Sequence, residues 1–253
     1  MDLDLKGRNA IVTGGTRGIG RAIAELLAEE GCNLALCARH KAAVDETVMA
    51  LTGKGVKSWG GVADVADTKA LRAWVAEAAA ALGGLDIFVA NVSALAQSMD
   101  EDSWRRSVEI DIMSTVAGVE AAIPLLEQSA AGAIVVVGTT GAIEIAGPPR
   151  PYASAKAALV PYVKALARNL AAKNIRANMV SPGNVYFKGG VWNVVEENNP
   201  ELFQTMVGRN PMGRMGTPQE VAACVAFLAG APASFVSGAN FIVDGAITTR
   251  VQY

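Results

Sequence analysis

Residues 13 to 20 read Thr-Gly-Gly-Thr-Arg-Gly-Ile-Gly, and they directly follow the short apolar run Asn-Ala-Ile-Val at residues 9 to 12. A strand that leads through a glycine-rich turn into a helix can bind a phosphate group, because the first N–H groups of the helix are free and its dipole is positive there. We expect Gly14 to take a positive φ in a tight turn, Gly18 to let the backbone approach a pyrophosphate, and Gly20 to let the helix pack closely on the strand. The stretch therefore predicts a nucleotide-binding βα unit.

Strand-like and helix-like segments alternate along the rest of the chain. Residues 68–82 have helical apolar spacing, with Asp67 or Thr68 as the N-cap and Gly83 as the stop. Residues 217–229 begin with a capping box and carry proline at the first helical position. This alternation predicts an α/β fold with a doubly wound parallel sheet of about seven strands, helices on both faces, and one domain over residues 1–253. The predicted strands are residues 9–13, 33–38, 56–62, 85–90, 133–138, 175–180 and 239–243.

The segment after the sixth predicted strand interrupts this rhythm. Residues 182–212 are rich in glycine, proline and asparagine and also carry aromatic side chains. Ligands in such folds bind at the carboxyl ends of the strands, so an insertion here covers that edge. We predict a mobile helical lid over about residues 185–210, whose apolar side shapes a pocket for a substrate with substantial apolar surface. The alternative is that this apolar side is ordinary packing; its residues are Val194, Val195, Leu202, Phe203 and Met206.

Composition narrows the range of functions. The chain has 253 residues, of which 51% are hydrophobic and 18% charged, and its net charge of -2 gives no indication of nucleic acid or an anionic membrane as a partner. The acidic N-terminal residues are not expected to be a signal peptide, and no stretch approaches the roughly 18 apolar residues of a membrane span. The three cysteines have no metal-binding spacing and cannot all pair, and His40 is the only histidine. We therefore expect reduced thiols, no metal site and a cytoplasmic location.

The end of the second predicted strand indicates which nucleotide binds. A ribose-binding carboxylate is expected there, roughly 20 residues past the first glycine of the turn. The strand instead ends with Ala38 and Arg39, and Arg17 inside the glycine turn supplies a second guanidinium group. Two cations near a ribose suit a 2′-phosphate, so the sequence favours NADP(H) over NAD(H). The alternative is that both arginines are ordinary solvated surface charges.

Candidate chemistry lies at the start of the helix expected after the fifth strand. Tyr152 and Lys156 stand four residues apart and share one helix face. The nearby ammonium, together with a positive nicotinamide, is expected to lower the pKa of the phenol toward neutrality, so that the phenol exchanges a proton as a carbonyl is reduced or an alcohol is oxidised. Thr139, just past the fifth strand, can hydrogen-bond the substrate oxygen. The alternatives are an accidental Tyr–Lys spacing and a threonine that only caps a turn.

In combination and in order, these motifs resemble the short-chain dehydrogenase/reductase family over nearly the whole chain. Residues 13–20 match its cofactor motif, Asn91 matches the second asparagine of its Asn-Asn-Ala-Gly motif, and Tyr152 with Lys156 matches its catalytic pair. Further matches are the adenine-contacting pair at residues 64–65, the segment beside the nicotinamide at residues 181–183, and the closing strand at residues 243–245.

The resemblance implies a seven-stranded Rossmann sheet, hydride transfer with a nicotinamide cofactor, and usually a homotetramer, with a homodimer as the alternative. It also implies which residues contact the cofactor, NADP(H) in this chain. These residues are Gly14, Thr16, Arg17, Gly18, Ile19, Gly20, Arg39, Asp64, Val65, Asn91, Tyr152, Lys156, Pro182, Gly183 and Val185.

The chain also differs from the family pattern at several places. Residues 90, 92 and 93 replace three of the four residues of the Asn-Asn-Ala-Gly motif, which mainly stabilises the central sheet. Thr139 stands where serine is usual, which keeps the hydroxyl but stiffens χ1. Asp111, on a long helix predicted over residues 102–128, stands where asparagine is usual, and Phe187 stands where a threonine often contacts the carboxamide.

The sequence is therefore interpreted as an NADP(H)-dependent oxidoreductase for a small-molecule carbonyl or alcohol. Tyr152 is the acid/base, Lys156 orients the ribose and lowers the tyrosine pKa, and Thr139 positions the substrate oxygen. Asp111 is expected near Lys156, where its charge partly offsets the effect of the lysine and favours reduction over oxidation. The alternatives on the same fold are a non-catalytic NADP(H)-binding sensor or scaffold and an isomerase or dehydratase.

Overall fold

All seven strands form one parallel sheet in the computed structural model, which describes residues 1–145, 147–148 and 150–251. The order across the sheet is β3-β2-β1-β4-β5-β6-β7. Val12 of β1 pairs with Leu36 of β2 on one side and with Val89 of β4 on the other. The strands are β1 (Asn9–Thr13), β2 (Asn33–Ala38), β3 (Ser58–Val62), β4 (Ile87–Ala90), β5 (Gly132–Val137), β6 (Ile175–Pro182) and β7 (Asn240–Val243).

The chain leaves β1 toward one edge of the sheet and, after β3, crosses back to build the other half from β4. The carboxyl ends of β1 and β4 therefore flank the point where the topology reverses, and this point is where doubly wound sheets form a ligand crevice.

Helices cover both faces of the sheet. They are α1 (Gly18–Glu29), α2 (Lys41–Thr52), α3 (Thr68–Leu82), α4 (Glu101–Ser107), α5 (Ser114–Leu126), α6 (Pro151–Leu170), α7 (Val191–Asn198), α8 (Pro200–Gly208) and α9 (Pro218–Ala229). Alternate side chains of β5 enter two separate apolar clusters because successive strand residues point to opposite faces. Val135 and Val137 pack with α1 and α9, whereas Ile134 and Val136 pack with α3, α5 and α6.

The local signals in the sequence set most element boundaries. The Asp67 side chain accepts the N–H groups of Lys69 and Ala70 at the start of α3, and Gly83 ends that helix with φ at +95°. Thr217 and Glu220 form the predicted capping box of α9. The α/β class and the seven-stranded parallel sheet are confirmed, although β3 and β4 begin later than predicted, at Ser58 and Ile87, and β6 continues to Pro182.

The single helix predicted over residues 102–128 is wrong in one respect. A π-helical segment, Val108–Met113, separates α4 from α5 and contains Asp111. Side-chain hydroxyls bond to its backbone: Ser114 Oγ donates to the Ile110 carbonyl over 2.5 Å, and Thr115 Oγ1 donates to the Asp111 carbonyl over 2.9 Å. Single π-helical turns within α-helices often occur at functional sites, because the extra residue re-aims side chains.

The segment after β6 contains the predicted lid helices, α7 and α8. Val185 pairs with Gly216 in an isolated parallel bridge, so both ends of the segment are tied together beside the sheet. Phe203 is buried, but Val194 and Leu202 are 51% and 43% exposed, so the predicted apolar side of the lid is only partly covered. None of the helices in the described part of the chain has the length and apolar character needed to cross a membrane.

Candidate active site

The glycine turn, residues 14–18, lies at the carboxyl end of β1 and depends on the absence of side chains. Gly14 and Gly18 have φ values of +67° and +53°, in the left-handed region that favours glycine. A Cβ on Gly20 would lie 2.2 Å from the Gly14 carbonyl oxygen, so only glycine allows α1 to begin this close to the turn. The positive φ predicted for Gly14 and the close packing predicted at Gly20 are confirmed.

Asn91 connects the glycine turn to the end of β4. Its Nδ2 donates to the carbonyl oxygens of Thr13 and Gly14, each over 3.2 Å, and its backbone N–H donates to Thr13 Oγ1 over 3.1 Å. The amide protons of this side chain are thereby directed at backbone oxygens of the turn. Asn91 holds the shape of the turn, and its contact with a cofactor stays a prediction.

Arg17 and Arg39 are both exposed and lie at adjacent strand ends, after β1 and β2. Within the described residues, neither side chain takes part in an ion pair or donates a hydrogen bond to the protein. Guanidinium groups without an internal partner are available for an anionic ligand.

The other predicted cofactor residues also lie at this edge. Thr16 and Ile19 lie among the glycines of the turn and the start of α1. Asp64 and the buried Val65 follow β3, and Asp64 Oδ1 accepts the Ala66 N–H over 3.1 Å. The segment at the end of β6 is Pro182, Gly183 and Val185, and the Gly183 N–H donates to the Val243 carbonyl over 3.0 Å.

Lys156 is almost fully buried, with 1% of its surface exposed, and its ammonium lies between strand ends. Nζ donates to the Val92 carbonyl over 3.2 Å and to the Val137 carbonyl over 3.1 Å. It also lies 3.6 Å from Asp111 Oδ1. The ammonium thus has three protein partners, namely two carbonyl oxygens at hydrogen-bond distance and one carboxylate at ion-pair distance.

Asp111 is fully buried on the π-helical segment and faces Lys156. Within the described residues, neither of its carboxylate oxygens accepts a hydrogen bond of ordinary geometry. Burial raises the pKa of Asp111, and the Lys156 charge opposes this rise, as do the Ser93 hydroxyl and the Ala94 N–H, which stand close by. Burial lowers the pKa of Lys156, and the Asp111 charge opposes that change. Burial therefore pushes both groups toward their neutral forms, while their mutual attraction opposes it and favours the charged forms.

Tyr152 stands in the first turn of α6, where Pro151 occupies a position suited to proline. Burial raises the pKa of Tyr152 to about 12, a hydrogen bond with the Thr139 side chain opposes the rise, and the Asp111 charge adds to it. Thr139 Oγ1 also accepts the Gly141 N–H over 3.2 Å, so this residue caps a turn as well as facing the phenol. The two interpretations of Thr139 are therefore compatible.

The expectation that Lys156 and a positive nicotinamide together lower the Tyr152 pKa toward neutrality concerns the cofactor complex and stays a prediction; in the protein alone this pKa is raised. The Tyr152 pKa lies above its ordinary value of 10.0 because burial dominates and the Asp111 charge acts in the same direction. Lys156 points its protons to backbone carbonyls and to Asp111 rather than to the phenol.

The site residues fall into two groups, the glycine turn with its arginines and the Tyr152–Lys156 group, and residues 91–93 join them. Asn91 holds the turn, the Val92 carbonyl accepts from Lys156, and the Ser93 hydroxyl faces Asp111. From the sequence, residues 92 and 93 are only differences from a family motif. Their position just after β4, which neighbours β5, is the feature that could have placed them beside Lys156.

Comparison with known proteins identifies the family to which this geometry belongs. Residues 14–248 match the sequence profile of the family described as Enoyl-(Acyl carrier protein) reductase. Isoepoxydon dehydrogenase patN of Penicillium expansum is 38% identical over 253 residues, which cover 98% of each chain. Dehydrogenase/reductase SDR family member 4 of Homo sapiens is 31% identical over 254 residues, covering 98% of this chain and 90% of that protein.

A solved structure supports the same conclusion. L-Sorbose reductase from Gluconobacter frateurii, complexed with NADPH and L-sorbose, has a TM-score of 0.92 at 28% identity and covers 99% of this chain and 100% of its own. The present chain belongs to the short-chain dehydrogenase/reductase family of oxidoreductases.

We predict that Asp111→Asn shifts the pH dependence of alcohol oxidation toward lower pH. The Asp111 charge raises the Tyr152 pKa, so its removal lets the deprotonated phenol, which takes the proton from an alcohol, form at lower pH. Burial, the larger cause of the raised Tyr152 pKa, is unchanged in the variant, so we expect the oxidation rate still to rise toward alkaline pH.

The measurement is the oxidation rate against pH with NADP⁺ and the best alcohol of a panel. Glu109→Gln is the matched control, since this exposed acid lies on the same π-helical segment and its change should leave the profile unaltered. An unchanged profile in Asp111→Asn would exclude the electrostatic effect, and an inactive Asp111→Asn would give the carboxylate a direct role instead.

Proposed function

We propose that the protein is an NADPH-dependent reductase that converts a small-molecule carbonyl into an alcohol. One observation carries this proposal: Tyr152 and Thr139 face each other beside the buried Lys156–Asp111 pair, at the strand ends adjoining the glycine turn. A proton donor, a hydroxyl and a charged pair next to a nucleotide-binding turn are the groups that carbonyl reduction requires.

The residues of the turn fit NADP(H). Gly14 and Gly18 adopt conformations that favour glycine, and Gly20 allows α1 to start against the turn, so its N-terminal N–H groups face the crevice. Arg17 and Arg39 supply the positive charge that a 2′-phosphate requires and that NAD(H) would leave unused. NADPH is present in the L-sorbose reductase complex, whose fold this chain shares.

Bound NADPH supplies the hydride that adds to the carbonyl carbon. The protein's own groups act on the oxygen: the Tyr152 phenol donates its proton as negative charge develops there, and the Thr139 hydroxyl orients the oxygen by a hydrogen bond. A phenol whose pKa is about 12 stays protonated at neutral pH, so the form that donates a proton is present and the phenolate that would take a proton from an alcohol is scarce. The electrostatics of the site thus favour the reductive direction.

Lys156 and Asp111 are placed next to the phenol, and the Asp111 charge raises the Tyr152 pKa. Lys156 also orients the cofactor ribose in this proposal, which requires its ammonium to exchange one of its three protein partners for a ribose hydroxyl. The Asp111 contact is the longest of the three and the easiest to exchange in geometric terms, although the Asp111 charge opposes the lowering of the Lys156 pKa by burial.

A second function, NADP(H) binding without catalysis, is favoured by the same orientation of Lys156. If the ammonium stays with its three protein partners, it neither contacts the ribose nor stabilises a phenolate. The protein would then sense or store the nucleotide. Turnover by the native protein separates the two functions.

We also infer that the protein works in the cytoplasm and assembles as a homotetramer, or as a homodimer if one family interface is missing. The three cysteines, Cys32, Cys37 and Cys224, are free thiols, which supports a reducing compartment. The family membership supports an oligomer.

We predict that NADPH binds more tightly than NADH and that the preference depends on Arg17 and Arg39. A charge-assisted hydrogen bond contributes roughly 1.5–3 kcal/mol, so replacing either arginine by alanine should weaken NADPH about tenfold or more and leave NADH nearly unchanged. Fluorescence titration of both cofactors measures this. Arg105→Ala is the control, because this exposed arginine on α4 already pairs with Glu101. Equal affinities for the two cofactors in the native protein would overturn the assignment of NADP(H).

We predict that Tyr152→Phe lowers the rate of carbonyl reduction by roughly 10²–10⁴-fold while NADPH affinity is kept, because the ring stays and only the proton donor is lost. Thr139→Ser should remain active and Thr139→Ala should not, whereas Lys156→Ala should weaken both binding and rate. NADPH consumption over a panel of ketones, 3-oxoacyl thioesters, quinones and sugars gives the rates. Near-normal turnover in Tyr152→Phe would mean that another group donates the proton.

A further inference from the structure

The aromatic ring of Phe187 lies against the glycine turn. A Cβ built on Gly18 would be 2.5 Å from Phe187 Cζ and 2.8 Å from Cε2, so the ring fills the space that a side chain at this position would need. On its other side, the ring approaches Gly190, where a Cβ would lie 2.8 Å from Cε1 and Cζ. Phe187 is thus wedged between two glycines, one from the turn and one from the lid.

The same space is the predicted path of the cofactor's pyrophosphate. Gly18 stands at the first position of α1, and its missing side chain is what lets an anion approach the helix N-terminus. Phe187 packs there as a partly buried member of the apolar cluster under α1 and α9. An apolar ring and a charged pyrophosphate cannot share this position, so one excludes the other.

The backbone of Phe187 is directly coupled to the first lid helix. The Gly190 N–H donates to the Phe187 carbonyl over 3.0 Å, and Gly190 is the N-cap of α7. Gly189 has a φ of +76°, and its N–H donates to Asn193 Oδ1 over 2.9 Å. A displacement of Phe187 therefore moves the start of α7.

The apolar side chains of α7 are at most partly covered. None of the residues of α7, all of which the structure describes, is fully buried. In α8, Phe203 is buried and packs edge-on against Tyr186, with ring centroids 5.7 Å apart. The ring of Phe187 is accordingly the apolar contact that joins α7 to the nucleotide turn.

We propose that Phe187 gates the nucleotide site, because the cofactor must displace its ring from Gly18 in order to bind. This displacement releases α7. The lid then becomes free to receive substrate only after the cofactor has bound. This gating rests on the proposed NADP(H) binding and adds an order of events to it. The affinity measured for the cofactor is reduced by the fraction of molecules in which the ring blocks the turn.

The test compares the native protein with Phe187→Ala and with the milder Phe187→Leu. Removing the ring should tighten NADPH binding about tenfold in Phe187→Ala and by a smaller factor in Phe187→Leu. In stopped-flow mixing, the observed binding rate of the native protein should level off as NADPH concentration rises, because ring displacement limits it, whereas that of Phe187→Ala should stay linear.

Hydrogen exchange reports on the lid independently of activity. Amides of residues 187–198 should exchange faster in the native protein when NADPH is added, and Phe187→Ala without NADPH should already exchange at that faster rate. Phe203→Ala is the matched control: it removes a buried lid aromatic that does not contact the glycine turn, so it should loosen the lid without tightening NADPH binding. Thermal melting of each variant identifies any that has lost its fold.

The outcomes separate the two levels of the proposal. If the native protein binds neither NADPH nor NADH, the proposed function fails. If it binds NADPH but Phe187→Ala and Phe187→Leu bind with unchanged or weaker affinity, or if NADPH leaves exchange of residues 187–198 unchanged or slower, the gating role of Phe187 is wrong while the proposed function stands.

Discussion

The buried contact between Lys156 and Asp111 organises the site. An ammonium group can be taken this far from water only when acceptors surround it, and here the carbonyls of Val92 and Val137 and the Asp111 carboxylate provide them. These acceptors come from the ends of neighbouring strands β4 and β5 and from the π-helical segment. The sheet order, the break in the long helix and the position of α6 are therefore all needed to hold one charge.

The proton affinity of Tyr152 depends first on burial, which raises the pKa of the phenol. The Asp111 charge acts in the same direction and so opposes the lowering that a lysine charge alone would cause. At neutral pH the phenol is consequently in its protonated form, which is the form that the proposed carbonyl reduction uses.

The fold was predictable from the sequence because its signals are local. The caps of α3 and α9, the glycines of the turn and the apolar strands all act within a few residues, and the structure has them where the pattern placed them. The π-helical segment was not predicted, because nothing in the apolar spacing of residues 102–128 distinguishes a π turn from an α turn. Hydroxyl groups of Ser114 and Thr115 bond to backbone carbonyls of this segment.

The candidate site was predictable only in part. Residue types and spacing indicated Tyr152 and Lys156, and the family resemblance drew attention to Asp111. Neither indicated that the lysine protons point at the ends of β4 and β5, since side-chain direction depends on tertiary contacts. The contact of Phe187 with Gly18 joins residues far apart in the chain and has no sequence signature. Where local pattern decided, the prediction held, and where long-range packing decided, the structure was needed.

In the proposed reaction, a hydride moves from NADPH to a carbonyl carbon while Tyr152 protonates the oxygen. The most direct measurement uses NADPH deuterated at the transferred position of the nicotinamide C4, with a panel of carbonyl compounds and mass spectrometry of the products. We expect at least one compound to give an alcohol that carries one deuterium on the carbinol carbon. Tight NADPH binding with no deuterium in any product would contradict it and would leave a nucleotide-binding protein without this chemistry.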